Sequence, residues 1–327
     1  MKENMLGIEI GNYTLKIVSV SQGTINGYAS AQIPEGSVRD GRLIAWDAMA
    51  EVLHNVYKNG GFSTKKAGLV IPDSDTYVRR LTMPAMNEKQ LAVNLPYEFH
   101  DVISDEKDKY AYDYAMISLN KDAQDKVKDM TMLGAAVSKE TIEKYQELFA
   151  RAGLKLIKAE PGEIALQSLI RNVSEENAEK DCALLDLGYA TSRIDIFHNG
   201  IYEVTRTIDT GVRDVAKALA NDQNMDEHIA LQYIEQSNEK MLSSSACMNV
   251  YNTVSVEVMR ALNYYTYENQ NNTLDTLYYT GGGSWIQPFI QDIADTISLE
   301  MRPLSDFNEE DQAGLMHCPA ALGICLE

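Results

Sequence analysis

Two segments of the chain repeat one pattern: Leu6-Gly7-Ile8-Glu9-Ile10-Gly11-Asn12 and Leu184-Leu185-Asp186-Leu187-Gly188-Tyr189-Ala190-Thr191. In each, an apolar strand runs through an acidic residue and delivers a glycine to a turn, where backbone amides can meet a phosphate with no Cβ in the way. The acid at the strand end is placed to hold a hydrated cation. A third turn, Tyr279-Thr280-Gly281-Gly282-Gly283, follows late in the chain. A sequence that writes the same strand and turn twice predicts two related α/β domains, and the three turns together imply that they close on one nucleotide.

The bulk properties leave room for this. At 327 residues with 45% apolar and 24% charged side chains, the chain can fill two sizeable cores. Its 29 basic and 48 acidic residues give a formal charge of -19, expected to be spread along the chain and not gathered in an acidic tail, which argues against nucleic acid as a partner. The N-terminus runs straight into the first patterned strand, so no cleavable leader is expected, and no stretch is apolar enough to span a bilayer. Four cysteines lack metal-ligand spacing and five histidines are scattered, which reads as a reduced, cytoplasmic chain without a structural transition metal.

Periodicity orders the elements. Leu6, Ile8 and Ile10, then Leu15, Ile17 and Val20, predict a hairpin of core strands. Met49, Val52, Leu53, Val56 and Tyr57 predict a helix beginning at Asp47 and ending at Gly60-Gly61, and 66–71 a strand. Past Met83-Pro84 the composition changes: 87–100 reads as a helix complicated by Pro96, 109–120 as a Tyr-rich strand, 130–137 as a strand, 138–150 as a Ser-capped helix and 154–159 as another strand. A first lobe of 1–174 containing an insert of 82–158 is expected, then a second lobe of 175–327 in which 221–272 forms an outer, mainly helical part. The second lobe repeats the opening layout as strands at 183–186, 193–199 and 202–209 and a helix over 212–220.

These residues resemble the actin-like nucleotide-binding superfamily and, within it, the type IV pilus assembly protein PilM family, over nearly the whole chain. Glu9-Ile10-Gly11-Asn12 with Lys16 is similar to the first phosphate loop and Asp186 through Thr191 to the second. Glu160-Pro161-Gly162-Glu163 is similar to the first connecting segment, Tyr279 through Ser284 to the adenosine loop, and Cys318-Pro319-Ala320-Ala321-Leu322-Gly323 to the second connecting segment. Arg80 through Pro84, Tyr112-Asp113-Tyr114, Gly134 through Val137 and Ala152 through Lys155 resemble the family's inserted 1C subdomain. The fold implied is α/β and two-lobed, actin-like (ribonuclease H-like), with that insert.

The resemblance also implies roles. ATP or ADP with Mg²⁺ would be held by Gly11, Asn12 and Lys16, by Gly188, Tyr189, Ala190 and Thr191, and by Gly281, Gly282, Gly283 and Ser284. Asp186 and Glu9 would hold waters of the metal, and Glu160 would place an attacking water, with Asp186 and Glu9 completing the catalytic set. Family members generally carry Asp where this chain has Glu9, a change that favours binding over hydrolysis, so weak ATP hydrolysis is left open. The implied partner is the N-terminal cytoplasmic peptide of a PilN-like inner-membrane protein, docking in a groove lined by Leu81, Leu95, Tyr110, Tyr112 and Tyr114. That recruits a cytoplasmic protein to the inner face of the membrane in a pilus, competence or secretion machine. A homo-oligomer fits the same reading. The alternatives are an FtsA-like division filament protein and a small-molecule kinase of the superfamily.

Overall fold

The computed structural model describes residues 4–21, 24–104, 106–121, 125–174, 178–307 and 312–326. By its internal packing the chain divides into Met1–Ala165 and Leu166–Glu327, the division falling inside one helix, Gly162–Val173. A lobe boundary at 174/175 falls at the edge of residues outside those described. The charge is unevenly divided: residues 1–165 carry 20 basic and 23 acidic side chains, residues 166–327 carry 9 and 25.

In the first unit β1 (Met5–Ile10), β2 (Thr14–Ser21) and β3 (Thr24–Gln32) form an antiparallel meander. A small hairpin, β4 (Val38–Arg39) and β5 (Arg42–Leu43), leads to α1 (Trp46–Asn59) and then β6 (Lys66–Ile71), which pairs parallel to β1. Helix α1 forms because Met49, Leu53 and Val56 repeat at helical spacing and bury one face. It stops where the Gly60 amide donates to Val56 O and Gly61 turns the chain at φ +66°.

Next come β7 (Thr76–Pro84), α2 (Glu88–Asn94), β8 (Tyr110–Lys121) and β9 (Val127–Ser138). Among the described residues these strands make a sheet of their own, ordered β7-β9-β8. The helix expected over 87–100 starts at a reciprocal Asn87–Gln90 cap and changes at Pro96, which has no N–H to donate, into a 3-10 turn over Leu95–Phe99. After this sheet, α3 (Lys139–Arg151) packs Tyr145, Leu148 and Phe149 against Met49 and Leu53 of α1, and β10 (Lys155–Pro161) pairs parallel with β6. Both lie in the expected insert of 82–158, yet their partners belong to the first sheet, so the separately paired sheet is narrower, 76–138. Ser138 stands at the N-cap of α3, but its side chain makes no capping bond.

Helix α4 (Gly162–Val173) leads into the second unit. There β11 (Cys182–Leu187), β12 (Ser192–His198) and β13 (Ile201–Ile208) form another antiparallel meander. Helices α5 (Val212–Gln223), α6 (Glu227–Glu235), α7 (Glu239–Leu242) and α8 (Ser245–Glu268) follow. The unit ends with β14 (Thr276–Thr280), α9 (Gln287–Thr296), β15 (Glu300–Pro303), α10 (Gln312–His317) and α11 (Pro319–Gly323). The helical stretch of 221–272 shares one core with the sheet: Ala230, Ile234, Leu242, Cys247 and Tyr251 pack in the same cluster as Leu185, Ile194 and Leu277.

Among the described residues the two five-stranded sheets have the same plan. The orders β10-β6-β1-β2-β3 and β15-β14-β11-β12-β13 superimpose term by term, two parallel additions beside an antiparallel meander. β1 and β11 even share one burial sequence, in which only the acid, Glu9 or Asp186, is less than buried. The duplication written in the sequence is therefore a duplication of topology.

All four cysteines are buried and none is in a disulfide. Burial pushes the Cys182 thiol up to about 12 from 9.0, with the neighbouring Asp181 adding to it. Because the thiol binds its proton more tightly in the folded state, the stability it contributes is intact below pH 9.0 and is lost as pH rises toward about 12. We expect dithionitrobenzoate to titrate none of the thiols in native protein near pH 8 and all 4 after denaturation; fast native labelling would contradict the buried placement.

Candidate functional site

The parallel pairing of β11 with β14 sets Asp186 opposite Thr280, so the turn after β11 and the loop after β14 leave the sheet side by side at its carboxyl end. Gly281 begins that loop at φ +89°, and a Cβ there would lie 2.1 Å from Asp186 Oδ1 and 2.7 Å from Leu187 O. A Cβ on Gly283 would lie 2.8 Å from Leu187 Cβ. These two glycines are required by close approach of the loop to the strand that carries the acid. Gly282 differs: a Cβ on it would meet nothing within 4 Å. The bare backbone at that position is open to a ligand.

Ser284, expected to touch the ligand, is buried and donates its hydroxyl to Gly281 O at 2.6 Å, so it holds the loop's shape. Thr280 is also buried and donates to Met316 O at 2.9 Å, tying the strand end to α10.

The turn Gly188–Thr191 is held from behind by α5. Val212 N–H donates to Gly188 O at 3.0 Å and Arg213 N–H to Tyr189 O at 2.9 Å, while Gly211 N–H donates to Asp214 Oδ2 at 3.0 Å. The first amides of this helix are thus engaged by the turn, not presented to an anion. Tyr189, whose bulk is unusual in a phosphate turn, is partly buried against the core of the unit. Gly188 is required by its own turn, since a Cβ would lie 2.6 Å from Thr191 O.

The first unit carries the counterpart. A Cβ on Gly11 would lie 3.1 Å from Thr14 O, the same three-residue relation. Here the Gly11 N–H donates to Thr14 O at 3.0 Å, so this amide, expected to meet a phosphate, closes the hairpin, and Asn12 stands at the turn's tip. Glu9 and Lys16 face each other across β1 and β2 and pair at 2.7 Å, each about four-fifths covered. Glu9 is thereby committed to the lysine before any cation arrives. The equivalent cross-strand pair in the second unit is Asp186 with Arg193, and Arg193 also reaches Asp195 at 2.9 Å.

Glu160 lies one residue from the end of β10, buried and paired with Lys158 at 3.0 Å, not on the helix that follows. Among the described residues no group of three or more His, Cys, Asp or Glu side chains could hold a metal ion directly. Magnesium keeps most of its waters and needs only one or two protein carboxylates beside a ligand's phosphates. Asp186 at its strand end fits that role, and the open backbone at Gly282 fits a ribose or phosphate.

For the expected peptide groove the structure makes a correction. Leu81 and Leu95 are buried in the core of the three-stranded sheet with Phe99, Met130 and Met132. They reach that core because Gly134 on β9 leaves room, a Cβ there lying 2.8 Å from Leu81 Cδ1 and 3.3 Å from Leu95 Cδ1. Tyr110, Tyr112 and Tyr114 line the border of that core, half-buried. Tyr112 Oη is buried with no hydrogen-bond partner among the described residues, and burial, then Tyr110, then Asp108 hold its hydroxyl above the ordinary tyrosine range.

Sequence reasoning missed Gly211 and Arg193, and it placed Thr280 in the adenosine loop without giving it a role. The signal for Gly211 was present, a glycine followed three residues later by Asp214 at the start of an apolar-periodic helix. Arg193 was legible as well, since laying the two repeats over one another puts it where Lys16 stands.

The family profile described as "Type IV pilus assembly protein PilM" matches residues 7–313. Among solved structures, a chain of a "PilM-PilN type IV pilus biogenesis complex" matches with a TM-score of 0.84 at 20% identity, covering 100% of this chain and 98% of that one. The ethanolamine utilization protein EutJ from Carboxydothermus hydrogenoformans matches at 0.62 and 14% identity, over 98% and 88%. No curated protein matches the chain. The fold is that of the actin-like ATPases.

Proposed function

The chain belongs to the type IV pilus assembly protein PilM family, and from that premise we propose that it is a cytoplasmic, ATP-binding assembly protein that docks the cytoplasmic tail of a PilN-like membrane protein. The three-stranded sheet of 76–138 is, in this reading, the family's 1C subdomain. No helix among the described residues is long and apolar enough to cross a membrane, so attachment to the membrane would come through the partner.

The observation that carries nucleotide binding is the loop at Gly281–Gly283, two glycines packed on the Asp186 strand around one whose backbone is open. ATP or ADP would lie against Gly282, with its phosphates at the turn of Gly188, Tyr189, Ala190 and Thr191. Asp186 would orient waters of Mg²⁺, which supplies charge neutralisation at the phosphates when bound. Family resemblance adds Gly11, Asn12 and Lys16 as phosphate contacts and Glu9 and Glu160 as acids of a hydrolytic set. The ion pairs of Glu9 with Lys16 and Glu160 with Lys158 favour a binding protein over a fast ATPase.

Titration calorimetry with ATP and ADP, with and without Mg²⁺, tests this. We expect micromolar binding strengthened by the cation. Asp186→Ala should remove most of the Mg²⁺ dependence, and Lys16→Ala should weaken binding about tenfold with and without metal, a loss of about 1.4 kcal/mol. Folded protein that binds neither nucleotide would sink the reading.

For the partner, the support is family membership together with the half-buried tyrosines. Leaving a buried hydroxyl unpaired costs about 1–3 kcal/mol, so a peptide group reaching Tyr112 Oη would recover that energy. Tyr112→Phe should therefore leave the free protein at least as stable while weakening the N-terminal peptide of the PilN-like protein from the same genome. Unchanged peptide affinity would remove Tyr112 from the docking surface.

A further inference from the structure

The second unit carries 9 basic and 25 acidic side chains, yet one strip of its surface reverses that sign. Along α8 the charged residues are Glu257, Arg260 and the terminal Glu268. Glu257 receives the Arg260 guanidinium from its own helix and, at 3.6 Å, Arg206 Nη2 from β13. Two guanidiniums, with five N–H donors each, share one carboxylate, and their side chains are 64% and 66% exposed. Next to them lie exposed apolar side chains: Val204 at 41%, Tyr264 at 68% and Tyr267 at 76%.

These residues form one strip because α8 and β13 run antiparallel. At one end Arg206 stands beside Glu257. At the other, Tyr265 Oη donates to Asp181, which precedes Cys182, and Cys182 lies across from Phe197, itself across from Tyr202. Val204, midway between Tyr202 and Arg206, therefore lies alongside the turn of α8 that carries Arg260 and Tyr264. Alternation puts Val204 and Arg206 on the same face of β13. Among the described residues β13 is the last strand of its sheet, and at its start the Tyr202 N–H donates to Gln167 Oε1 of α4 at 2.8 Å.

We propose that this strip docks an extended acidic segment of another protein. Its backbone would run along β13 beyond Tyr202, its carboxylates would take the spare donors of Arg206 and Arg260, and its apolar side chains would cover Val204, Tyr264 and Tyr267. Tyrosine and arginine are the residues enriched in interface cores, and the last strand of a sheet suits an extended occupant. A basic segment would face two guanidiniums. A second copy of this chain would bring another strongly acidic body against the first. The strip uses none of the residues assigned above to nucleotide or to the PilN-like peptide, so it stands whatever the outcome of those tests.

Fluorescence anisotropy on the full chain decides the matter, with a short labelled peptide alternating glutamate with leucine and tyrosine, and a counterpart carrying lysine for glutamate. The net charge of the protein alone favours the lysine peptide, so the sign of the preference is diagnostic. We expect the acidic peptide to bind at least about tenfold tighter, Arg206→Glu with Arg260→Glu to abolish that preference, and Tyr264→Ala with Tyr267→Ala to weaken binding while leaving the sign. All four side chains are exposed, and unfolding curves check that each variant is native. Equal or better binding of the lysine peptide, or an acidic peptide that ignores the arginine changes, overturns the proposal. Sedimentation showing a dimer that the same arginine changes dissolve would assign the strip to a second copy and overturn it equally.

Discussion

Gly281→Ala is expected to lose nucleotide binding and to lower the stability of the second unit by about 3 kcal/mol or more. Two costs coincide. At φ +89° any side chain is strained, and the added Cβ would lie 2.1 Å from Asp186 Oδ1 and 2.8 Å from Leu187 N. The carboxylate can rotate away, but the Leu187 backbone lies in a paired strand and cannot, so the loop must move. Gly282→Ala is the matched control, since its Cβ meets nothing. It should leave thermal unfolding within about 1 kcal/mol, the helix-type preference for alanine over glycine, yet still weaken ATP if a ligand packs on that backbone. Thermal melts paired with calorimetry separate the effects, and equal melting of the two variants would show that the loop does not press on Asp186 as described.

Asp181→Ala should cost about 3–5 kcal/mol, as removal of one partner from a buried charged network does. Its carboxylate is 1% exposed and accepts from Tyr265 Oη at 2.9 Å, from Thr273 N–H at 3.3 Å and from the His198 ring at 2.6 Å. Alanine removes the carboxylate that Tyr265 Oη and Thr273 N–H share and loosens the segment that joins α8 to β14. His198→Ala removes the same contact from its half-exposed side and should cost no more than about 1 kcal/mol. Urea unfolding measures both, and a similar midpoint for the two variants would mean that the buried network contributes little.

Much of this architecture was legible because the duplicated strand and turn carry constraints that local chemistry imposes. Alternation in Leu6, Ile8 and Ile10 predicts a buried strand, and Gly60-Gly61 predicts the end of α1, both from forces acting within a few residues. The extent of the insert was less legible. Helix α3 and β10 follow β9 without a break in composition, and their assignment to the first sheet depends on Tyr145, Leu148 and Phe149 meeting α1 and on β10 meeting β6, contacts that join residues about 90 positions apart along the chain. The groove illustrates the same limit. Leu81 and Leu95 have the apolar character of a docking surface, and what makes them core is the missing side chain at Gly134 on another strand. Ser284 has the chemistry of a ligand contact, but its hydroxyl closes the loop, a choice set by a φ at Gly281 that the sequence allows without declaring.

The seating of the Gly188 turn on α5 has an electrostatic outcome. In a trans peptide the C=O and the following N–H point in opposite directions. With Gly188 O and Tyr189 O turned toward the amides of Val212 and Arg213, the N–H groups of Tyr189 and Ala190 are turned away from the helix. Each of those peptide units is polarised by the bond it accepts, as in any hydrogen-bonded chain. The positive end of the α5 dipole is thus handed on through two peptide planes to amides one residue further out, so the turn works as an extension cord for the helix, and a shift of either would carry the other with it.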